Sequence, residues 1–193
     1  MTPNVILITG HPATGKTTLS YKLADKLNLP LIGKDIIKET LADTMPKPAE
    51  DMDDTDWSRR LSIATWRLLY QQTEDLIRAK VPHIVEANFD PKFSDSHWQD
   101  LMSRYTFNPI QIRCESDPQT IIRRYHQRIA DGSRHMIHVN TIPDAHYAES
   151  IKTHMGWINI EGPRYSFDSS KNIEQNEKVI FEIVQGILGN GKH

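Results

Sequence analysis

The chain has 193 residues, 38 % of them hydrophobic and 25 % charged, with a formal net charge of −2. That length suits one domain with a sizeable core, and the balanced charge sets up no global basic field for nucleic acid. A single cysteine, Cys114, excludes an internal disulfide. With no bilayer-length apolar run and no room for a signal peptide before the first strand, the expected compartment is the cytoplasm and no membrane partner is expected.

Apolar runs alternate with helical patterns along the chain. Residues 4–9 read as a buried strand, and residues 17–27 as a helix with Leu19, Leu23 and Leu27 in one stripe. Between them stands Gly10-His11-Pro12-Ala13-Thr14-Gly15-Lys16-Thr17, a match to the phosphate-loop pattern G-x-x-x-x-G-K-[ST]. Chance produces that pattern in on the order of one chain in a hundred of this length, and the flanking strand and helix are the context it needs. Backbone N–H groups of such a loop wrap phosphates, and the helix N-terminus adds partial positive charge. ATP is therefore expected along residues 10–18, from Gly10 to Thr18. Lys16 is expected on the β- and γ-phosphates, and the Thr17 hydroxyl on Mg²⁺.

Residues 31–32 read as a second strand and 35–43 as a helix. Residues 45–56, with Pro46, Pro48 and five acids, read as a loop. A long helix is predicted over 57–80, a third strand over 83–87, a helix over 91–105, a fourth strand over 109–114 and an arginine-rich helix over 118–130. A mobile loop is expected over 131–140, a short helix over 145–154, a fifth strand over 164–167 and a closing helix over 174–188. Strands alternating with helices argue for a parallel sheet covered on both faces, with ligands at the carboxyl ends of its strands.

Several residues beyond the loop suit phosphoryl-transfer chemistry. Asp35, just after strand two, can accept a hydroxyl proton, orient the nucleophile, assist Thr17 at Mg²⁺ through water as Glu86 also can, or simply cap a helix. Lys38, one turn on, suits a substrate anion or a solvated face. Glu86 ends strand three, where an acid can hold Mg²⁺ through water or bond substrate, and Asn88 can bind substrate or brace the loop. Arg124 and Arg128 share a helix face, with Arg134 beyond; arginine near the γ-phosphate stabilises the charge that spreads there. Arg128 is favoured over Arg124. His135, His138, His146 and His154 read as polar lid residues rather than a zinc site. The acids at 50–56 read as a solvated loop that would repel polyphosphate, with Trp57 and Trp66 in the core or flanking the acceptor pocket.

With those residues in view, the chain resembles the small phosphate-loop kinases related to polynucleotide kinase kinase domains, and bacterial kinases of the AAA type. The resemblance rests on Gly10–Thr17, Lys34-Asp35, residues 84–89, and Arg124 with Arg128. It implies an α/β three-layer sandwich in one domain, with a five-stranded parallel sheet and a helical lid near 124–147. It also implies ATP with Mg²⁺ and phosphoryl transfer to a hydroxyl, with Asp35 as general base. Glu86 and Lys38 stand where polynucleotide kinases carry Asp and Arg. The expected activity is ATP-dependent phosphorylation of a small-molecule hydroxyl. A polynucleotide 5′-kinase and a nucleotide-driven switch acting on a protein partner are the alternatives.

Overall fold

In the computed structural model, residues 2–49, 51–138 and 156–190 are described. In chain order they form β1 (Asn4–Gly10), α1 (Lys16–Leu27), β2 (Leu31–Gly33), α2 (Lys34–Thr44), α3 (Asp54–Arg78) and β3 (His83–Glu86). There follow α4 (Pro91–Arg104), β4 (Asn108–Glu115), α5 (Pro118–Ala130), β5 (Arg164–Asp168) and α6 (Ile173–Asn190). The strands make one all-parallel sheet in the order β2-β3-β1-β4-β5. β1 is central and buried at all seven positions, as a strand covered on both faces must be.

The two-residue period of β1 divides the core. Val5 and Leu7 face one cluster with Leu69 and Ile77 of α3 and Trp98 and Leu101 of α4. Ile6 and Ile8 face the other, with Leu19 and Leu23 of α1 and Ile180 and Val184 of α6. The result is the expected three-layer α/β sandwich. In β4, Ile110, Ile112 and Cys114 join the second cluster. Gln111, on the opposite face of β4 and fully buried, satisfies its amide by accepting from Ile158 N at 3.0 Å and donating to Ile158 O at 3.1 Å.

The predicted elements recur with edges moved by at most three residues, apart from the 145–154 helix, which lies outside the described residues. The clearest difference is at 45–56, read as a loop throughout: α3 already begins at Asp54. Asp53 is its N-cap, accepting from the Thr55 amide, and Asp54 and Asp56 lie in its positive first turn. The acids that looked like solvated loop thus start a helix, because carboxylates satisfy and complement an N-terminus. Of the expected lid and the expected loop at 131–140, residues 139–147 also fall outside the described residues.

Parallel pairing sets the carboxyl ends of β2, β3 and β1 side by side. Gly33 pairs with Glu86, and Glu86 with Ile8, two residues before the phosphate-loop glycine. The chain segments that leave these three ends, 11–17, 34–38 and 87–89, therefore converge at one edge.

Candidate active site

That edge opens into a cavity of about 1320 Å³. His11, Pro12, Ala13, Gly15, Lys16, Thr17 and Thr18 line one part of it, and Asp35, Lys38, Glu39, Ser58, Ser62, Trp66, Glu86 and Asn88 line another. Arg124 and Arg128 of α5 also line it, as do Arg134, His135 and His138 of the following loop.

The loop's shape follows from its glycines and its own hydrogen bonds. Gly10 has φ +140°, and a Cβ there would stand 2.3 Å from the Cys114 carbonyl oxygen, so only glycine fits. Gly15 takes φ +84° as the N-cap of α1, and Ala13 is also left-handed at φ 64°. Thr14 does not line the cavity; its hydroxyl donates to His11 O at 2.7 Å and braces the loop from beneath. No side chain caps α1 and no acid sits in its first turn, so its first N–H groups are left open to an anion.

Lys16, buried, donates to His11 O at 3.1 Å and stands 3.9 Å from Glu86 Oε1. The Thr17 hydroxyl lies 3.4 Å from Glu86 Oε2. Burial pushes the Glu86 carboxyl up from its ordinary value while Lys16 opposes the shift. Two adjoining oxygen donors, one of them a carboxylate whose charge burial disfavours, suit a hard divalent metal. Hydrogen bonds from Ala87 N to Ile8 O (3.1 Å) and Phe89 N to Thr9 Oγ1 (3.2 Å) hold the Glu86 segment against β1.

Asp35, half-buried, accepts from Lys34 Nζ at 3.0 Å. Burial works against its charge, but Lys34, Lys16 and His138 outweigh it and hold the carboxyl below the usual carboxylate range. It makes no cap bond: α2 starts from Gly33 without a side-chain cap. Lys38 is only 6 % exposed and donates to Ser58 Oγ at 2.7 Å. Burial, with Lys34 and Arg134 nearby, pushes its ammonium down to about 8 against the pull of Asp35. Asn88 is half-buried at the cavity wall. Trp66 also stands at that wall, with Lys34 Nζ 5.8 Å from its ring, whereas Trp57 is packed in a separate cluster with Leu61 and Ile137.

The two α5 arginines that line the cavity differ. Arg124 is engaged, donating to Ser169 Oγ and Ser169 O at 2.8 Å each and to Ala13 O at 3.4 Å. It ties the phosphate loop to the segment after β5, a link no local pattern announces. Arg128 is exposed, and its guanidinium has no hydrogen-bond partner among the described residues. Sequence reasoning missed Ser62, and also Ser58, Glu39 and Ser169, whose partners Lys38, His138 and Arg124 lie 20 to 99 residues away. Among the described residues no group of three His, Cys, Asp or Glu side chains is arranged to hold a metal, and His135 and His138 instead pair with Asp43 and Glu39. No described helix is long and apolar enough to cross a membrane.

A crystal structure of a putative kinase from Chloroflexus aurantiacus superposes with a TM-score of 0.85 at 32 % identity, over 96 % of this chain and 98 % of that one. Shikimate kinase from Acinetobacter baumannii, in complex with shikimate, shares the fold at 13 % identity and a TM-score of 0.56, over 100 % of this chain and 97 % of that one. A chain of the Pnkp1/Rnl/Hen1 RNA repair complex matches over 79 % of this chain and 43 % of its own, at 15 % identity and a TM-score of 0.54. No protein of curated function matches in sequence. The family profile described as an AAA domain matches residues 5–146. The chain belongs to that AAA-domain family and has the fold of the phosphate-loop kinases.

Proposed function

We propose that the chain is a Mg²⁺- and ATP-dependent phosphotransferase acting on a hydroxyl of a small molecule. The observation that carries this is the cavity itself. One part offers an uncapped helix N-terminus behind a phosphate loop, and another offers an ionised Asp35 and a buried Lys38 to an acceptor.

In this reading the loop amides at 11–17 bind the phosphate chain, and Lys16 neutralises its β- and γ-groups. Thr17 and Glu86 would hold the metal, which supplies charge neutralisation on the transferring phosphoryl group. Asp35 positions the acceptor hydroxyl. Lys38 presents a desolvated ammonium to an anionic group on the acceptor, and Asn88 contributes polar contacts beside it. Arg128, exposed at the cavity, closes over the γ-phosphate, while Arg124 secures the loop that Arg128 closes upon. A cytoplasmic location suits the buried thiol of Cys114, which burial pushes up to about 12 and leaves unreactive.

The test is ATP-to-ADP turnover with Mg²⁺ across pooled acceptors: nucleosides, sugars, hydroxy acids, aminoglycosides and 5′-hydroxyl oligonucleotides. Lys16→Ala serves as the blank. A phosphorylated small molecule identified by mass supports the reading. Phosphorylation restricted to oligonucleotides, with salt-dependent binding, moves it to polynucleotide 5′-kinase activity. Turnover indifferent to every pool and raised by a protein moves it to a partner-coupled switch.

A further inference from the structure

Residues 131–138 leave the end of α5 and turn back across α2 as a strap, so the described part of the expected loop is held rather than loose. His135 Nε2 lies 3.0 Å from Asp43 Oδ1 in the last turn of α2, and His138 Nε2 lies 2.9 Å from Glu39 Oε1 one turn earlier. Between them Ile137, 6 % exposed, is buried with Trp57 and Leu61 of α3, and Leu41, Ala42 and Met52 pack on the same cluster. Its neighbour Met136 is 84 % exposed, so the strap turns one apolar side chain inward and leaves the next in water. Arg134 stiffens the turn from within, donating to the His138 carbonyl from Nη2 at 2.9 Å and from Nε at 3.2 Å, with its guanidinium 4.6 Å from the Tyr125 ring centre.

The strap clasps the elements that the acceptor would meet. Ser133, Arg134, His135 and His138 line the cavity along with Asp35 and Lys38 of α2 and Ser58 and Ser62 of α3. Ile137 anchors on Trp57, next in the chain to Ser58, whose hydroxyl holds Lys38 Nζ at 2.7 Å. The acceptor end is thus walled by α2 and α3 and, across from them, by the strap.

Resting on the phosphotransfer reading above, we propose that this strap limits the acceptor to a molecule the cavity holds whole, and that Ile137 is the specificity-determining residue that keeps polymers out. Nucleotide and acceptor share about 1320 Å³, and one small-molecule pocket takes roughly 300–1,000 Å³, so the space beside a nucleotide suits a monomer. A polymer needs a way out beyond its reactive end, and the strap stands across that way where it crosses α2. The apolar anchor matters more than the outer ion pair. Asp43 is 68 % exposed, and an exposed pair fastens weakly, whereas burying an isoleucine removes a whole apolar side chain from water. Asp43, Asp51 and Asp53 are exposed around the anchor, so a phosphodiester chain on that side would also meet carboxylates.

The experiment measures Mg²⁺- and ATP-dependent phosphorylation of the small molecule that wild type accepts, and of the same molecule extended by one unit and by several. The ladders are nucleoside to 5′-hydroxyl oligonucleotide, monosaccharide to oligosaccharide and hydroxy acid to its oligoester. Wild type is compared with Ile137→Ala, Ile137→Leu and Asp43→Ala, and amide hydrogen exchange follows residues 131–138 in each. Wild type is expected to lose activity with each added unit. Ile137→Ala is expected to raise kcat/KM for the longer acceptors relative to the monomer about tenfold, with the KM for ATP within about twofold. Its faster exchange is confined to 131–138. Ile137→Leu, of equal volume, keeps the wild-type ladder. Asp43→Ala, at an exposed position outside the cavity lining, shifts the ladder the same way by about twofold. It carries the test if Ile137→Ala does not fold.

The proposal is overturned if the strap amides exchange faster while the ladder stays put, or if exchange is unchanged in both Ile137→Ala and Asp43→Ala. A KM for ATP that rises as much as the KM for the monomer overturns it too, since Ile137 then serves the whole site rather than acceptor choice. If wild type takes long acceptors as readily as the monomer, this inference fails and phosphotransfer stands. If wild type phosphorylates none of the pools, the phosphotransfer reading falls and this inference falls with it.

Discussion

The N-termini of α3, α4 and α5 are built differently from those of α1 and α2. Each of the first three opens on an aspartate, Asp53, Asp90 or Asp117, whose carboxylate accepts from a backbone amide of the first turn: Thr55, Lys92 at 3.0 Å and Thr120 at 2.8 Å. Proline follows the cap in α4 and α5, where a missing N–H costs nothing. α1 and α2 open on Gly15 and Gly33 with no side-chain cap at all. A capped end is closed to ligands and stabilises the helix by about 1 kcal/mol; an uncapped end forgoes that and leaves donors and a positive field free. Both uncapped ends abut the cavity. The chain caps the starts of α3, α4 and α5 with its own carboxylates and leaves uncapped the two starts that abut the cavity.

Four substitutions test that contrast. Lys16→Ala removes the cation that backs the open end of α1, and acceptor phosphorylation should fall by about 10³-fold or more with the fold intact, read by turnover and thermal melting together. Asp35→Asn keeps shape and loses charge at the α2 end. A drop in kcat of about 10²-fold with a near-normal KM for ATP is expected; unchanged kcat would reduce Asp35 to a bystander of the helix start.

Lys38→Met should weaken acceptor binding, raising its KM about tenfold, while making the protein more stable by on the order of 2 kcal/mol near neutral pH. The sign follows from linkage. Folded Lys38 loses its proton near 8 and the unfolded side chain only near 10.5, so between those values the unfolded state binds more protons. Wild-type stability therefore climbs with pH across that window, and the advantage of the methionine variant shrinks; denaturant melts at pH 7 and 10 measure it. Asp117→Ala should do the reverse of Lys16→Ala, costing about 1 kcal/mol of stability with kcat unchanged. A comparable loss of activity there would erase the distinction between the two kinds of helix start.

Much of this was legible in local pattern. A buried run into Gly10, then Gly15-Lys16-Thr17 opening a helix, announces an anion cradle because the glycines, the lysine and the helix start act within eight residues of one another. Asp35, Glu86 and Arg128 were findable as polar residues just beyond strands or on a polar helix face. The start of α3 was not read correctly, because prolines and acids argue for loop until Asp53 is recognised as a cap four residues ahead of Trp57, the first residue of a long apolar stripe.

By itself, then, the sequence determined the alternation of strands and helices, the phosphate loop and the residues that flank it, since periodicity, glycine conformation and capping are all short-range effects. Tertiary structure alone decided the order β2-β3-β1-β4-β5, which brings Gly33 beside Glu86 and Glu86 near Lys16. It also decided that Arg124 would anchor at Ser169, that Lys38 would be buried against Ser58, and that His138 would meet Glu39 across 99 residues of chain. Those pairings depend on which strands lie side by side and which helix faces are covered, and a parallel sheet joins residues through crossovers too long for any local pattern to encode.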